Sequence, residues 1–177
     1  MDACLTFVGY EFVWFAAVCG AGRGAVWPGV GAAVLFATWR LAVSRRLQLE
    51  TRLLAAALLI GAALETCWVS TGMLRYAAAW PLTCCPAWLL ALWGAFGLTI
   101  VPLFGYLHRR PGLAALLGAL GGPLSYSAAA HGWHAVFFPA PRWPSLLALA
   151  VGWGAALPAL TTLARRTLEP RAARSAA

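Results

Sequence analysis

Six stretches of this chain, near 4–20, 27–43, 53–73, 86–105, 112–131 and 145–163, are almost free of charge and long enough to cross a bilayer. A helical crossing takes about 20 apolar residues, with a range of about 17 to 25. In lipid only helices and closed barrels satisfy their own backbone groups, and runs of this length suit helices. The predicted fold is therefore all-α, a polytopic transmembrane helix bundle of about six spans over residues 1–163. Residues 164–177 form a basic tail. Its sequence, "RRTLEPRAARSAA", has little apolar surface to bury and is predicted to be disordered beyond its first turn.

Composition supports lipid as the solvent. The chain is 62% hydrophobic and 10% charged, whereas a soluble domain has about 25% charged residues. So few charges leave too little polar surface to cover a water-facing globule. All thirteen cations are arginine, and none forms a basic groove interleaved with aromatics, which argues against a nucleic-acid partner. Membrane lipid is the expected partner, with other membrane proteins as a further one.

The arginines also predict orientation. With six alternating spans, Arg40, Arg45, Arg46, Arg52, Arg109, Arg110, Arg165, Arg166, Arg171 and Arg174 fall on one side, and Arg23, Arg75 and Arg142 on the other. The positive-inside tendency then puts both termini in the cytoplasm. An odd span count would split the clusters between the two sides. The start, "MDACLTF", carries an acid where a cleaved signal would carry positive charge, so the first run is expected to remain. Val18 before Cys19 is too bulky for a lipoprotein cleavage box. Trp27, Trp80, Trp133 and Trp143 fall where an interfacial aromatic belt is expected.

Helices in a bilayer associate by close backbone approach and polar contacts. Ala114, Gly118 and Gly122 in the fifth run, and Gly29, Ala33 and Ala37 in the second, form small-residue ridges that predict packing faces. The fifth run continues "GGPLSY" over Gly121, Gly122, Pro123, Leu124, Ser125 and Tyr126. Pro123 lacks an amide donor and crowds the carbonyl four residues back, so a kink facing the bundle is expected there.

Two acids interrupt the apolar runs. Glu65 shares a helical face with Gly61, Trp68 and Gly72 in the third, and Glu11 lies near the middle of the first. At similar depth lie Gly122, Pro123, Ser125 and Tyr126. A charged acid at the bilayer centre costs about 2.5–3.5 kcal/mol on insertion scales, and no arginine lies at matching depth. Both acids are therefore expected in the uncharged form, able to donate a hydrogen bond to a carbonyl, to Tyr126 or to each other. Glu65, Glu11, Tyr126 and Ser125 form the candidate buried polar site. Inter-helix adhesion, proton transfer, ligand anchoring and catalysis all remain open for it.

Other residues point to less. His108 adjoins Arg109 and Arg110 and reads as a solvated loop residue. His131 and His134 lack nearby Cys, Asp or Glu ligands, so no metal is predicted. Cys84 and Cys85 have neither metal-knuckle nor redox spacing and read as packed or free thiols. No phosphate-binding loop, nucleophile elbow or dinucleotide fingerprint is present, and no cofactor is expected.

The order of five tracts resembles the bacterial inner-membrane family catalogued as domain of unknown function 2878. These are "WFAAVCGAG", "RLLAAALLIGAALETCWVSTGML", "PAWLLALWGAFG", "GLAALLGALGGPLSYSAAA" and "LLALAVGWGAALPAL". The resemblance implies a multi-pass protein of the bacterial inner membrane, linked by association to envelope or fatty-acid modification. Two classes of function are carried forward. One is a non-enzymatic membrane component, such as a small transporter or assembly subunit, with a buried acidic site. The other is an intramembrane enzyme or accessory factor in lipid, fatty-acid or isoprenoid modification. A pocket open sideways to lipid would favour the second, and a water-lined cavity the first.

Overall fold

Five of the six apolar runs fold as single helices, and the fourth is broken in two. In a computed structural model, which describes residues 2–82 and 84–175, the helices are α1 (Asp2–Gly22), α2 (Trp27–Val43), α3 (Leu47–Ser70), α4 (Ala87–Gly97), α5 (Ile100–Leu103), α6 (Pro111–Trp133) and α7 (Trp143–Ser175). A short 3-10 turn, Gly105–Leu107, follows α5. Four helices are long and apolar enough to cross a membrane: α1, α3, α6 and α7. The other two runs are shorter as helices, 17 residues for α2 and 11 for α4.

The fourth run has a physical reason to break. Pro102 cannot donate to the carbonyl of Leu98, which a continuous helix would require. At Gly97 an added Cβ would lie 2.7 Å from the Leu53 carbonyl, so α4 presses its end against α3. The Thr99 hydroxyl donates to the Phe96 carbonyl at 2.6 Å, satisfying one group near the break. At Pro123, by contrast, α6 stays helical. Gly72 does not extend the α3 face: the helix stops at Ser70, and Gly72 takes a left-handed φ of 71° just beyond the Thr71 cap. The tail is helical as far as described, since α7 continues to Ser175; the side chains of residues 170–177 lie outside the described residues.

The short α4 lies at the centre, with residues 92–97 all buried. It packs on α1, α2 and α3, while α7 closes against α3 and most closely against α6. Small residues set these distances. An added Cβ at Gly118 would overlap the backbone carbonyl of Trp153, and one at Gly29 would lie 2.8 Å from Ala17 Cα. The ridges on α6 and α2 therefore pack on α7 and α1 respectively. Outward, large apolar side chains are bare: Phe12 is 67% exposed, Leu35 72%, Leu59 72% and Leu124 69%. A surface of that kind suits lipid and would aggregate in water.

One end of the bundle is closed by a small sheet absent from the sequence reading. Strand β1 (Arg75–Tyr76) pairs antiparallel with β2 (Val136–Phe137), with Arg75 opposite Phe137 and Tyr76 opposite Val136. Ser145 Oγ donates to the Met73 carbonyl at 2.6 Å and Trp88 Nε1 to the Ala77 carbonyl at 3.2 Å, anchoring the same loops. The opposite, arginine-rich end holds a buried ion pair, Arg40–Glu50 at 2.8 Å, across the α2–α3 turn. Arg40 is thus half of a buried pair, not a loop cation.

Candidate functional site

Glu65 is fully buried, at 0% exposure, and three elements converge on it. Gly61, one turn earlier on α3, has no side chain, and the Trp93 ring of α4 occupies that space. Trp93 Nε1 donates to Glu65 Oε1 at 2.9 Å. The Tyr126 hydroxyl of α6 donates to the same oxygen, and the Tyr76 hydroxyl of β1 donates to Oε2 at 2.5 Å. Two carboxyl oxygens carry about four lone-pair positions, and protein donors engage both oxygens. Among the described residues Glu65 has no cationic partner; the ion pairs are Arg40–Glu50 and the exposed Arg109–Glu169.

An aromatic wall surrounds this clasp. Trp93 stacks on Trp153 of α7 with ring centroids 4.2 Å apart and planes at 16°. Trp68 meets Tyr126 edge-on at 6.2 Å. Trp153 Nε1 is buried with no hydrogen-bond partner. Trp93 and Tyr126 bond Glu65 and, with Trp153, line a cavity of about 500 Å³.

The cavity lies between α1 and α6, against α4 and α7. Helices α1 and α6 meet near the sheet end, through Trp14 Nε1 donating to Ser125 Oγ at 3.0 Å and through Trp14 and Phe15 packing on Trp133. On α6 the lining runs from Leu117 to Tyr126, about 14 Å of helix at 1.5 Å per residue. Gly118, Gly121 and Gly122 lie along it; Gly118 and Gly122 are packed against Trp153, and Gly121 has open space where a side chain would start. Leu89, Leu92 and Phe96 of α4 form the floor, and Tyr10, Glu11 and Trp14 the opposite side. Glu11 is about one turn from Trp14 on α1 and Gly121 one turn from Ser125 on α6, and all four line the cavity.

Glu65 and Tyr126 are thus directly bonded, while Glu11, Ser125 and Tyr126 line one cavity. The two acids share no hydrogen bond, and Glu65 stands behind the cavity wall. Pro123 is half-buried beside this lining without contributing to it. Sequence reasoning missed Tyr76 and Trp93, both donors to the central acid, and Trp153. One signal was available: tryptophans in membrane helices favour the interfaces, whereas Trp93 and Trp153 fall deep inside their runs.

The remaining candidates stand apart. His131 Nδ1 lies 2.8 Å from the Ser127 carbonyl, and His134 caps α6 in the left-handed region. Cys84 and Cys85 are free thiols, and burial pushes the Cys85 thiol upward. His108 is half-buried, and burial pushes its imidazole below the usual range. Among the described residues no three His, Cys, Asp or Glu side chains gather as metal ligands.

The family described as Protein of unknown function (DUF2878) matches residues 3–159, so the chain belongs to that family. No curated protein and no solved structure matches the chain.

Proposed function

We propose that this member of the DUF2878 family is a multi-pass protein of the bacterial inner membrane that holds an apolar chain from the bilayer between α1 and α6. It acts as a binding component. The observation that carries this reading is the cavity itself. It is about 500 Å³ in volume, walled mainly by aromatic and aliphatic side chains and glycine, and it lies between two helices of membrane-spanning length. Small-molecule sites fall in the range of about 300–1,000 Å³. Both Glu65 oxygens are taken by protein donors, so this acid fixes the inner wall instead of facing a ligand.

Six crossings with both termini in the cytoplasm are supported by the ten-to-three division of arginines. The 17 residues of α2 span about 25 Å, and α4 with α5 forms a broken crossing at the centre. The second reading, an intramembrane enzyme or accessory factor in lipid, fatty-acid or isoprenoid modification, is favoured by one observation: Glu11 lines the same cavity without a hydrogen-bond partner among the described residues.

A photoreactive hexadecane diazirine in proteoliposomes tests the chain site. An added Cβ at Gly121 meets nothing within 4 Å, so Gly121→Phe fills the cavity without clashing at its root. Labelling of the α1 and α6 lining should fall at least fivefold in this variant, with labelling elsewhere unchanged. Equal labelling in both proteins would refute the site.

A further inference from the structure

The polar groups on the cavity lining differ in how much of their hydrogen-bonding capacity is spent. Trp14 and Ser125 bond each other. Trp93 and Tyr126 bond Glu65. Glu11, half-buried at the middle of α1, bonds no described residue, and Tyr10 and Tyr106 line the same cavity. An ionisable side chain inside a membrane segment without a partner marks a functional position. The α6 side of the lining includes Gly121, where an added Cβ meets nothing within 4 Å, which leaves room for a ligand to approach backbone closely.

We infer that the bound chain carries an uncharged hydroxyl and that Glu11 binds it, so the ligand class is a long-chain alcohol. This rests on the reading of the cavity as a chain-binding site. The lining narrows the head group by exclusion. No arginine or histidine is on it, so a phosphate or carboxylate head would be left without a cation in lipid. Glu11 is the sole acid on the lining, and an ammonium has three donors to satisfy. A carboxylic acid group offers one donor and one acceptor, which is what a hydroxyl requires. The pairing places no net charge in the bilayer.

Competition in nanodiscs tests this. The photoreactive hexadecane is bound first, and hexadecanol, hexadecane, hexadecylamine or palmitate is added at matched mole fraction in the lipid. In the wild type, hexadecanol should displace the probe at a tenfold lower mole fraction than hexadecane. That advantage should shrink below twofold in Glu11→Leu. It should stay within threefold of wild type in Glu11→Gln, whose amide also donates and accepts. Equal potency of hexadecanol and hexadecane in the wild type would overturn the role of Glu11 while leaving the chain site intact. Preference for the amine or for palmitate would also overturn it. Absence of any specific labelling in the cavity would remove the chain site itself, and this inference with it.

Discussion

Glu65 on α3 accepts a hydrogen bond from Tyr126 on α6, sixty-one residues further along the chain. With Trp93 and Tyr76 bonded to the same carboxyl group, this contact joins α3, α4, α6 and the small sheet at one point. Removing the acceptor strands three donors, and a buried unsatisfied donor costs about 1–3 kcal/mol. Glu65→Ala should therefore lose at least about 3 kcal/mol and lower the thermal midpoint sharply in detergent. Glu65→Gln keeps an acceptor for Trp93 and Tyr126, and its amide can donate to the Tyr76 oxygen. It should lose less than half as much. Equal and small losses in both would refute the hub.

Gly61 predicts a matched pair of substitutions. An added methyl there would run into the Trp93 ring, whereas at Gly31 it would meet nothing within 4 Å. Gly61→Ala should push Trp93 off Glu65, destabilise the bundle by about 1–3 kcal/mol through overpacking, and change tryptophan fluorescence. Gly31→Ala should be neutral or slightly stabilising, because alanine is the better helix former by about 0.8–1.0 kcal/mol. Thermal unfolding of the two variants side by side checks this.

The buried Arg40–Glu50 pair predicts strong non-additivity. Arg40 Nε and Glu50 Oε2 have no hydrogen-bond partner, so the pair is incompletely satisfied. Losing one member leaves a buried charge and costs about 3–5 kcal/mol. Arg40→Met or Glu50→Leu alone should each show a loss of that order. The double variant should recover most of it. A double variant as unstable as the sum of the singles would contradict the pairing.

Orientation can be read from accessibility. In a background lacking the native cysteines, Arg23→Cys should react with a membrane-impermeant maleimide on intact cells. Ser44→Cys should react only after permeabilisation. The reverse pattern would invert the proposed topology.

Much of this architecture was legible from hydropathy, because a helix in lipid must satisfy its own backbone and needs a long apolar run to do so. The α2 bounds follow from that constraint, and small-residue spacing marked Gly118 and Gly122 as a packing face, though not that α7 covers it. The Gly61–Glu65–Trp68 face was visible as helical spacing. Three things were not. Pro102 signals locally that the fourth run breaks, but the position of the break after Gly97 goes with its close approach to α3, a tertiary distance. Tyr76 reaches Glu65 because β1 pairs with β2 across sixty residues, and two-residue strands leave no periodic signal. Arg40 looked like a boundary cation, since nothing local shows that Glu50 turns inward to meet it.

The central claim is that an apolar chain occupies the space between α1 and α6. Native mass spectrometry of the protein ejected directly from membrane vesicles tests it most directly. The wild type should carry one bound single-chain molecule that survives removal of bulk lipid, and Gly121→Phe should carry none. A bare wild type, or the same adduct on both proteins, would contradict the account.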